Sequence, residues 1–329
     1  MKTLVTGSTG LIGSNLIPIL SKRNHKIKVI VRKRSKALHL KKYGVEIVEG
    51  DICDKKSIET AMQDCGYLFH LAADYRLWVP DPAEMYRVNV EGTRMLMQKA
   101  LELGLKKIVY TSSVCTLGCS DDYSQIDENF PSSIKEMISP YKKSKFMAES
   151  VVKKMITEQN LPAVIVNPST PVGPGDSRPT PTGAMILDTA RKGGRFYART
   201  GLNIAHVEDI AMGHLLALEK GQPGKRYILG GDNLTLKELF LLTSRIAGKP
   251  EPLIKIPSAI LYPIAFISEI LARIGFIKEP AATLDSIRMA QKTMFYNCKM
   301  AEEELGYKHR PAAEAVLDSI NWFRANGML

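Results

Sequence analysis

Tyr141 and Lys145 stand four residues apart in the stretch YKKSK, between Pro140 and Phe146. Residues at that spacing share one face of a helix, so a phenol and an ammonium would lie side by side. A free tyrosine has a pKa of about 10, too high for easy proton exchange near neutral pH. A neighbouring ammonium favours the tyrosinate and lowers that value. The tuned phenol can then give a proton to a developing alkoxide, or take one from an alcohol. Ser112 and Ser113 close the upstream run IVYTSS, and a serine hydroxyl can hold the same reacting oxygen. Lys142 and Lys143, between the acid and its partner, are expected to face water. Proton transfer is half of a carbonyl–alcohol interconversion; the other half needs a hydride carrier.

A place for the carrier is written at the N-terminus. TGSTGLIG sets Gly7, Gly10 and Gly13 after a first strand and at the opening of a helix. The first glycine permits a tight turn, the second lets the backbone approach a pyrophosphate, and the third allows close helix-to-strand packing. Thr9, Leu11 and Ile12 complete the turn, and the helix N-terminus turns free N–H groups toward the anion. An acid at the end of the second strand would bond a ribose 2′-hydroxyl and favour NAD. VIVRKRSK has Arg32 there instead, followed by Lys33, Arg34 and Lys36. A guanidinium can hold a 2′-phosphate by paired, charge-assisted hydrogen bonds, so the expected cofactor is NADP(H). Asp51 and Ile52, closing the third strand, are placed at the adenine. Leu71, Ala72 and Ala73 close the fourth with small residues where backbone must pass a ligand. His70 reads as a strand-end core histidine.

These residues need a scaffold that brings strand ends together. KTLVTG, KIKVIVR, VEIVEGD, YLFHLAA, KKIVYTSS and PAVIVNPS alternate with helical patterns. Such runs, apolar throughout, suit strands buried on both faces. The expected fold is α/β, a Rossmann-type doubly wound parallel sheet with a smaller, mainly helical substrate-binding part. The cofactor domain is drawn at 1–167 plus 204–229, and the substrate part at 168–203 plus 230–329. NPSTPVGPGDSRPTPTG reads as a long loop, and the chain after Leu234 as mainly helical.

Composition narrows the class. The net charge is +11, but the cations are spread along the chain, so no nucleic acid partner is expected. The five cysteines make no paired spacing, which suits free thiols in a reducing compartment and gives no metal site. MKTLVTG enters a strand at once, so a cytoplasmic location without a leader is expected. The apolar stretch 256–277 holds two prolines, Glu269 and Arg273. It is a poor spanning helix. It reads as a buried amphipathic helix, or else as an interfacial helix that makes peripheral membrane contact.

TGSTGLIG, HLAA, YTSS, YKKSK, NPSTPVGP and HVEDIA, in this order, resemble the short-chain dehydrogenase/reductase superfamily in its extended branch, from Lys2 nearly to the C-terminus. The resemblance implies that Ser113, Tyr141 and Lys145 are catalytic, with Asn89 of RVNVEGT in support. It prefers Ser113 to Ser112, gives Lys145 a second role at the nicotinamide ribose, and places Pro168 near the nicotinamide. It also implies a homodimer.

Three departures narrow the branch. Extended epimerases usually keep an acid where Arg32 stands. Sugar-nucleotide dehydratases carry an Asp-Glu pair where Val114 and Cys115 follow Ser113. Nucleotide-sugar enzymes commonly carry an Arg-Asp pair where Leu202 and Asn203 stand in LNIAHVED. The chain looks more like the dihydroflavonol 4-reductase group. AADYRLWVPDP, SPYKKSKFMAE, VIVNPSTPVGP, GHLLALEKG and RYILGGDNLTL also resemble the bacterial family called hopanoid-associated sugar epimerase. The expectation is NADP(H)-dependent reduction of a ketone, or the reverse, on a small hydrophobic or lipid-linked substrate, with Tyr75, Trp78 and PTPTGAM on the substrate side. The alternatives are a sugar epimerase with transient hydride transfer and a noncatalytic NADP-binding sensor.

Overall fold

A computed structural model describes every residue but Leu77, Asp121, Arg195, Pro252, Leu253, Lys278 and Ala281. The chain opens with β1 (Lys2–Thr6), α1 (Leu11–Lys22), β2 (Lys26–Val31), β3 (Glu46–Glu49), α2 (Lys55–Met62) and β4 (Cys65–His70). It continues with α3 (Ala83–Tyr86), α4 (Thr93–Glu102), β5 (Lys107–Thr111), α5 (Pro140–Gln159) and β6 (Ala163–Pro168). Next come β7 (Thr170–Val172), α6 (Pro181–Lys192), β8 (Phe196–Tyr197), β9 (Gly201–His206), α7 (Val207–Glu219) and β10 (Arg226–Leu229). The C-terminal part holds β11 (Asp232–Thr235), α8 (Leu236–Ala247), β12 (Ile254–Lys255), α9 (Ser258–Arg273), α10 (Leu284–Met289), β13 (Thr293–Met294), α11 (Lys299–Leu305) and α12 (Ala312–Ala325).

Seven strands form one parallel sheet in the order β10-β6-β5-β4-β1-β2-β3. The order reverses between β1 and β4, which opens a crevice at their carboxyl ends. One face is covered by α1 and α7, with Leu16, Ile17, Leu20, Ile210 and Leu215 sealed against Val5, Val29 and Val109. The other is covered by α2, α4 and α5, whose Ile58, Met62, Leu96, Met97 and Val152 meet Leu4, Leu68 and Ile108. Fully burying a side chain such as Leu16 contributes about 1.5–3 kcal/mol relative to exposure.

The strand opening the 204–229 segment departs from the expected division. β9 pairs with β7, β11 and β13 in a small separate sheet, and only α7 and β10 return to the main one. The 167–183 stretch is also more ordered than its composition suggests. It contains β7 and the start of α6, where the Thr180 hydroxyl accepts from Gly183 N–H and Pro181 takes the first helical position. A Thr-Pro pair serves a helix start as well as a loop. The basic run Arg34–Tyr43 winds as a 3-10 helix ending in left-handed Gly44. After Leu234 helices dominate, and α12 closes a third core with α6 and α8. Among the described residues, no helix is long and apolar enough to cross a membrane.

Candidate active site

The start of α5 is set by its own sequence. The Ser139 hydroxyl caps it by accepting from Lys142 N–H, and Pro140 needs no N–H there. Tyr141 therefore falls in the first turn and Lys145 in the next. The strand β5 runs out beside them. Ser113 lies just past its end, capping the short Val114–Thr116 turn, with its side chain beside the Tyr141 phenol. Lys145 is buried, donates from Nζ to the Thr111 carbonyl at 2.8 Å, and lies 5.2 Å from the Tyr110 ring centre.

Ser112 and Ser113 are thus separated by function. Ser112 Oγ donates to Glu149 Oε2 at 2.5 Å, and Ser113 is the one beside the tyrosine. Glu149, two turns beyond Tyr141, was not singled out in the sequence, although 141, 145 and 149 form one i, i+4, i+8 row. Its Oε2 also accepts from Thr116 Oγ1 and Asn167 Nδ2, and its Oε1 from Arg226 and Lys153. One carboxylate thereby joins α5 to the ends of β5 and β6 and to β10. Burial alone would raise its pKa, yet Lys153 and the hydroxyls of Ser112 and Thr116 together hold it at about 2.

Two expectations from YKKSK need correction. Lys142 does not face water: it is buried, with Nζ near Cys119 Sγ at 3.6 Å, because the 114–119 turn folds over the start of α5. Lys143 is exposed as expected. The tyrosine pKa also moves the other way. Burial raises the Tyr141 phenol well above its ordinary value, Cys115 adds to that, and only the Ser113 side chain opposes it. Lys145 is itself lowered to about 8 by burial, partly offset by Cys115 and Glu149. Desolvation sets the direction, so the phenol is held protonated.

Asn89 acts at one remove. It sits in a π-helical turn, Arg87–Gly92, inserted between α3 and α4. Its amide donates to the Asp74 carbonyl and to Ser144 Oγ at 2.8 and 2.9 Å, while Oδ1 accepts from Asp74 N–H. Ser144 in turn donates to the Tyr141 carbonyl. Asn89 thus braces the chain after β4 against the helix that carries Tyr141 and Lys145. His70 is the core residue expected: buried between Thr6 and Thr93 hydroxyls, it is held neutral, with burial lowering its pKa to about 3.

The glycine turn lies in the crevice between β1 and β4. Gly7 has φ of +70°, and a Cβ there would meet the Ala72 backbone nitrogen at 2.6 Å. Gly13 would meet the Gly7 carbonyl at 2.2 Å, whereas Gly10 has only that carbonyl at 3.3 Å. So Gly7 and Gly13 are demanded by the fold, and Gly10 leaves room for an approaching group. Gly10 caps α1 without a side-chain bond, and no acid occupies the first turn. The N–H groups at this end are therefore available to an anion. The Ser8 hydroxyl is buried beside them without a partner among the described residues, as is Ser169 next to Pro168. Thr9, Leu11 and Ile12 line the same turn, and Leu71, Ala72 and Ala73 are partly exposed opposite it.

Arg32 is exposed just past β2 and makes no hydrogen bond among the described residues. Asp51 Oδ1 accepts from Cys53 N–H, with Ile52 buried beside it. These features fit a dinucleotide cofactor: an open helix end, an unpartnered hydroxyl, and an exposed guanidinium beyond the second strand. Tyr75, expected on the substrate side, is exposed, while partial desolvation of its phenol and then Asp176 push its pKa up, so the two lie close. Trp78 is half-buried. Leu77, within AADYRLWVPDP, lies outside the described residues. Asn203 is a structural residue, paired with Gly231 and Asn233 across the small sheet.

The cysteines are free thiols. Away from the cleft, Cys298 Sγ, a Glu302 oxygen and a His309 nitrogen gather within 4.8 Å. Burial, then Glu302, pushes the Cys298 thiol up to about 12, so it serves as a donor to Glu302. The sequence carries no metal-type spacing for this cluster.

A doubly wound sheet with its anion-ready turn at the switch point defines an NAD(P)-dependent oxidoreductase of the extended short-chain dehydrogenase/reductase type. The chain belongs to the NAD dependent epimerase/dehydratase family, whose family model matches residues 3–230. It is 38% identical to a putative dihydroflavonol 4-reductase of Synechocystis sp. over 98% of this chain and 94% of that protein. It is 32% identical to sterol demethylase protein B of Methylococcus capsulatus over the whole of both. Among solved structures, gox2253 is 49% identical, with a TM-score of 0.88 over 100% of this chain and 99% of that one.

Proposed function

We propose that the chain catalyses NADP(H)-dependent reduction of a ketone to an alcohol, or the reverse, on a hydrophobic or lipid-linked substrate. The observation that carries the reading is the placement of Ser113 beside the Tyr141 phenol at the carboxyl end of β5, with Lys145 one turn along α5. Bound NADPH would supply the hydride. Tyr141, protonated in its buried setting, would give its proton to the carbonyl oxygen, and Ser113 would donate a hydrogen bond to the same oxygen. Lys145 would hold the ribose hydroxyls, and Asn89 would keep α5 in place. The glycine turn would take the pyrophosphate, Arg32 the 2′-phosphate, and Pro168 one face of the nicotinamide. Segments 168–203 and 230–329 would enclose the substrate.

Two observations favour a hydrophobic ketone over a nucleotide sugar. Leu202 and Asn203 stand where a diphosphate-binding Arg-Asp pair would be, and Asn203 is fully engaged within the protein. The names of the two curated relatives point to flavonoid and sterol chemistry. The test is NADPH consumption against ketones ranging from sugars to terpenoids and sterols, with NADH in parallel. One-for-one oxidation of NADPH with an apolar ketone is expected. Inversion of a sugar centre without net NADPH loss would overturn the reading, and equal use of NADH would overturn the role of Arg32.

A further inference from the structure

The helix α9 is built inside out. Its inward face carries small residues, with Ala265 at 0%, Ser268 at 7% and Ala272 at 7% exposure. Its outward face carries Ile260, Ile264, Phe266, Ile267, Ile270 and Ile274, all exposed. Phe276 follows in the next turn at 77% exposure. At 100° per residue the exposed positions span about half the helix circumference. Scattered exposed leucines and isoleucines are ordinary, but a contiguous patch of this kind marks a surface that meets something apolar.

The charges around the patch say what that surface is. Among the described residues from Ile254 to Ile277 there is one acid, Glu269, and it is turned inward to accept from Leu284 N–H. The exposed charges of the stretch are Lys255 before the helix and Arg273 at its last turn, both cationic; the nearest exposed acids lie outside it, Glu279 beyond the turn and Glu251 paired with Arg245. A second copy of the chain packed on this face would set Lys255 against Arg273 in an antiparallel pairing, and each against itself in a parallel one. Either arrangement opposes like charges, whereas anionic headgroups would satisfy both ends. The helix has 16 residues, about 24 Å at 1.5 Å per residue, and Pro263 interrupts it. That is too short to span a bilayer core of roughly 30 Å, and suits a helix lying in the interface plane. The helix also has a definite position relative to the cleft. It packs on α10, where Asp285 feels the charges of both Glu269 and Lys143, and Lys143 is two residues from Tyr141.

We infer that α9 and the turn after it form an in-plane docking surface for an anionic lipid bilayer, seating the mouth of the catalytic cleft at the membrane. The apolar face enters the headgroup–acyl boundary, and Lys255 and Arg273 hold the phosphates at either end. The inference extends the hydrophobic-substrate reading by naming where such a substrate is met, but its test does not depend on turnover.

The test is cosedimentation of the full chain with vesicles, without substrate or cofactor. Vesicles of phosphatidylcholine alone are compared with phosphatidylcholine containing phosphatidylglycerol, at low and high salt. The first variant is Ile264→Ser with Ile267→Ser; the second is Lys255→Gln with Arg273→Gln. All four sites are exposed, so thermal melting should match the parent chain. The parent chain is expected to bind the anionic vesicles and release at high salt. The serine variant should lose at least about tenfold in partitioning. The glutamine variant should lose about fivefold per cation on anionic vesicles only. Absence of binding by the parent chain would overturn the inference, as would equal binding by the serine variant. A dimer of the parent chain that the serine changes dissociate, without vesicle binding, would make the face a contact between copies and equally overturn it.

Discussion

Ser112 Oγ donates to Glu149 Oε2 at 2.5 Å, while its neighbour Ser113 lies beside the Tyr141 phenol. That bond fixes where Ser113 stands. Ser112 pins the end of β5 to α5, and the chain leaves that anchor with Ser113 facing the tyrosine on the same helix. Asn167 and Arg226 tie β6 and β10 to the same carboxylate, so Tyr141 sits on a platform gathered around one buried charge.

Glu149 should therefore matter to stability in a pH-dependent way. Its carboxyl is held at about 2 in the folded chain against an ordinary 4.5. A depressed carboxyl stabilises the fold above the higher value, and that contribution fades as pH falls toward the lower one. Glu149→Gln is expected to lose roughly 3 kcal/mol at neutral pH. The difference from the parent should shrink between about pH 4.5 and 2. Urea titrations across that range give the measurement, and a pH-independent difference would refute the account.

Tyr141→Phe removes only the phenolic oxygen. Turnover of NADPH with any accepted ketone should fall by about 10²- to 10⁴-fold. NADPH binding, followed by fluorescence, should stay within a few-fold of the parent, because the turn that would hold the cofactor is untouched. A variant with near-parental turnover would remove Tyr141 as the acid.

Lys145 is lowered to about 8 by burial. Its ammonium is therefore present below that pH and lost above it. If the ammonium holds the ribose, kcat/KM should decline as pH rises through about 8 in the free enzyme. Folding stability should behave oppositely. Burying the charged form costs free energy below 8, and that cost is relieved as pH rises from 8 toward the ordinary 10.5. A pH–rate profile beside a pH–melting profile separates the two; parallel declines would point to unfolding instead.

Arg32→Glu replaces a free guanidinium with a carboxylate at the end of β2. The KM for NADPH should rise by about ten- to hundredfold, while the KM for NADH stays level or falls. An NADPH KM unchanged by this charge reversal would leave Arg32 a solvated surface cation.

What could be read from sequence was mostly local. The glycine turn and the Tyr141–Lys145 row lie within one turn or one helix, so spacing alone placed them. Burial of Lys142 depends on the 114–119 turn, which arrives from elsewhere in the chain. The direction of the Tyr141 pKa has the same origin: adjacency to an ammonium is visible in YKKSK, but desolvation belongs to the assembled cleft. Glu149 lies in the visible helical row, yet nothing in the row names Ser112, Asn167 or Arg226 as its partners. The small sheet around β9 escaped because its strands are short and pair with segments far apart in the chain. The Thr180–Pro181 start of α6 was hidden by a composition equally suited to a loop.

The π-turn at Arg87–Gly92 carries its information as chain length. A π-turn closes over one more residue than an α-turn. Removing one residue between α3 and Asn89 would let the helix wind regularly and would swing that side chain by about 100°. The helix would survive and the amide would no longer reach Ser144. In this part of the molecule, then, counting residues matters as much as naming them. Two homologues with the same Asn but a one-residue gap before it would differ in how firmly the helix matching α5 is held.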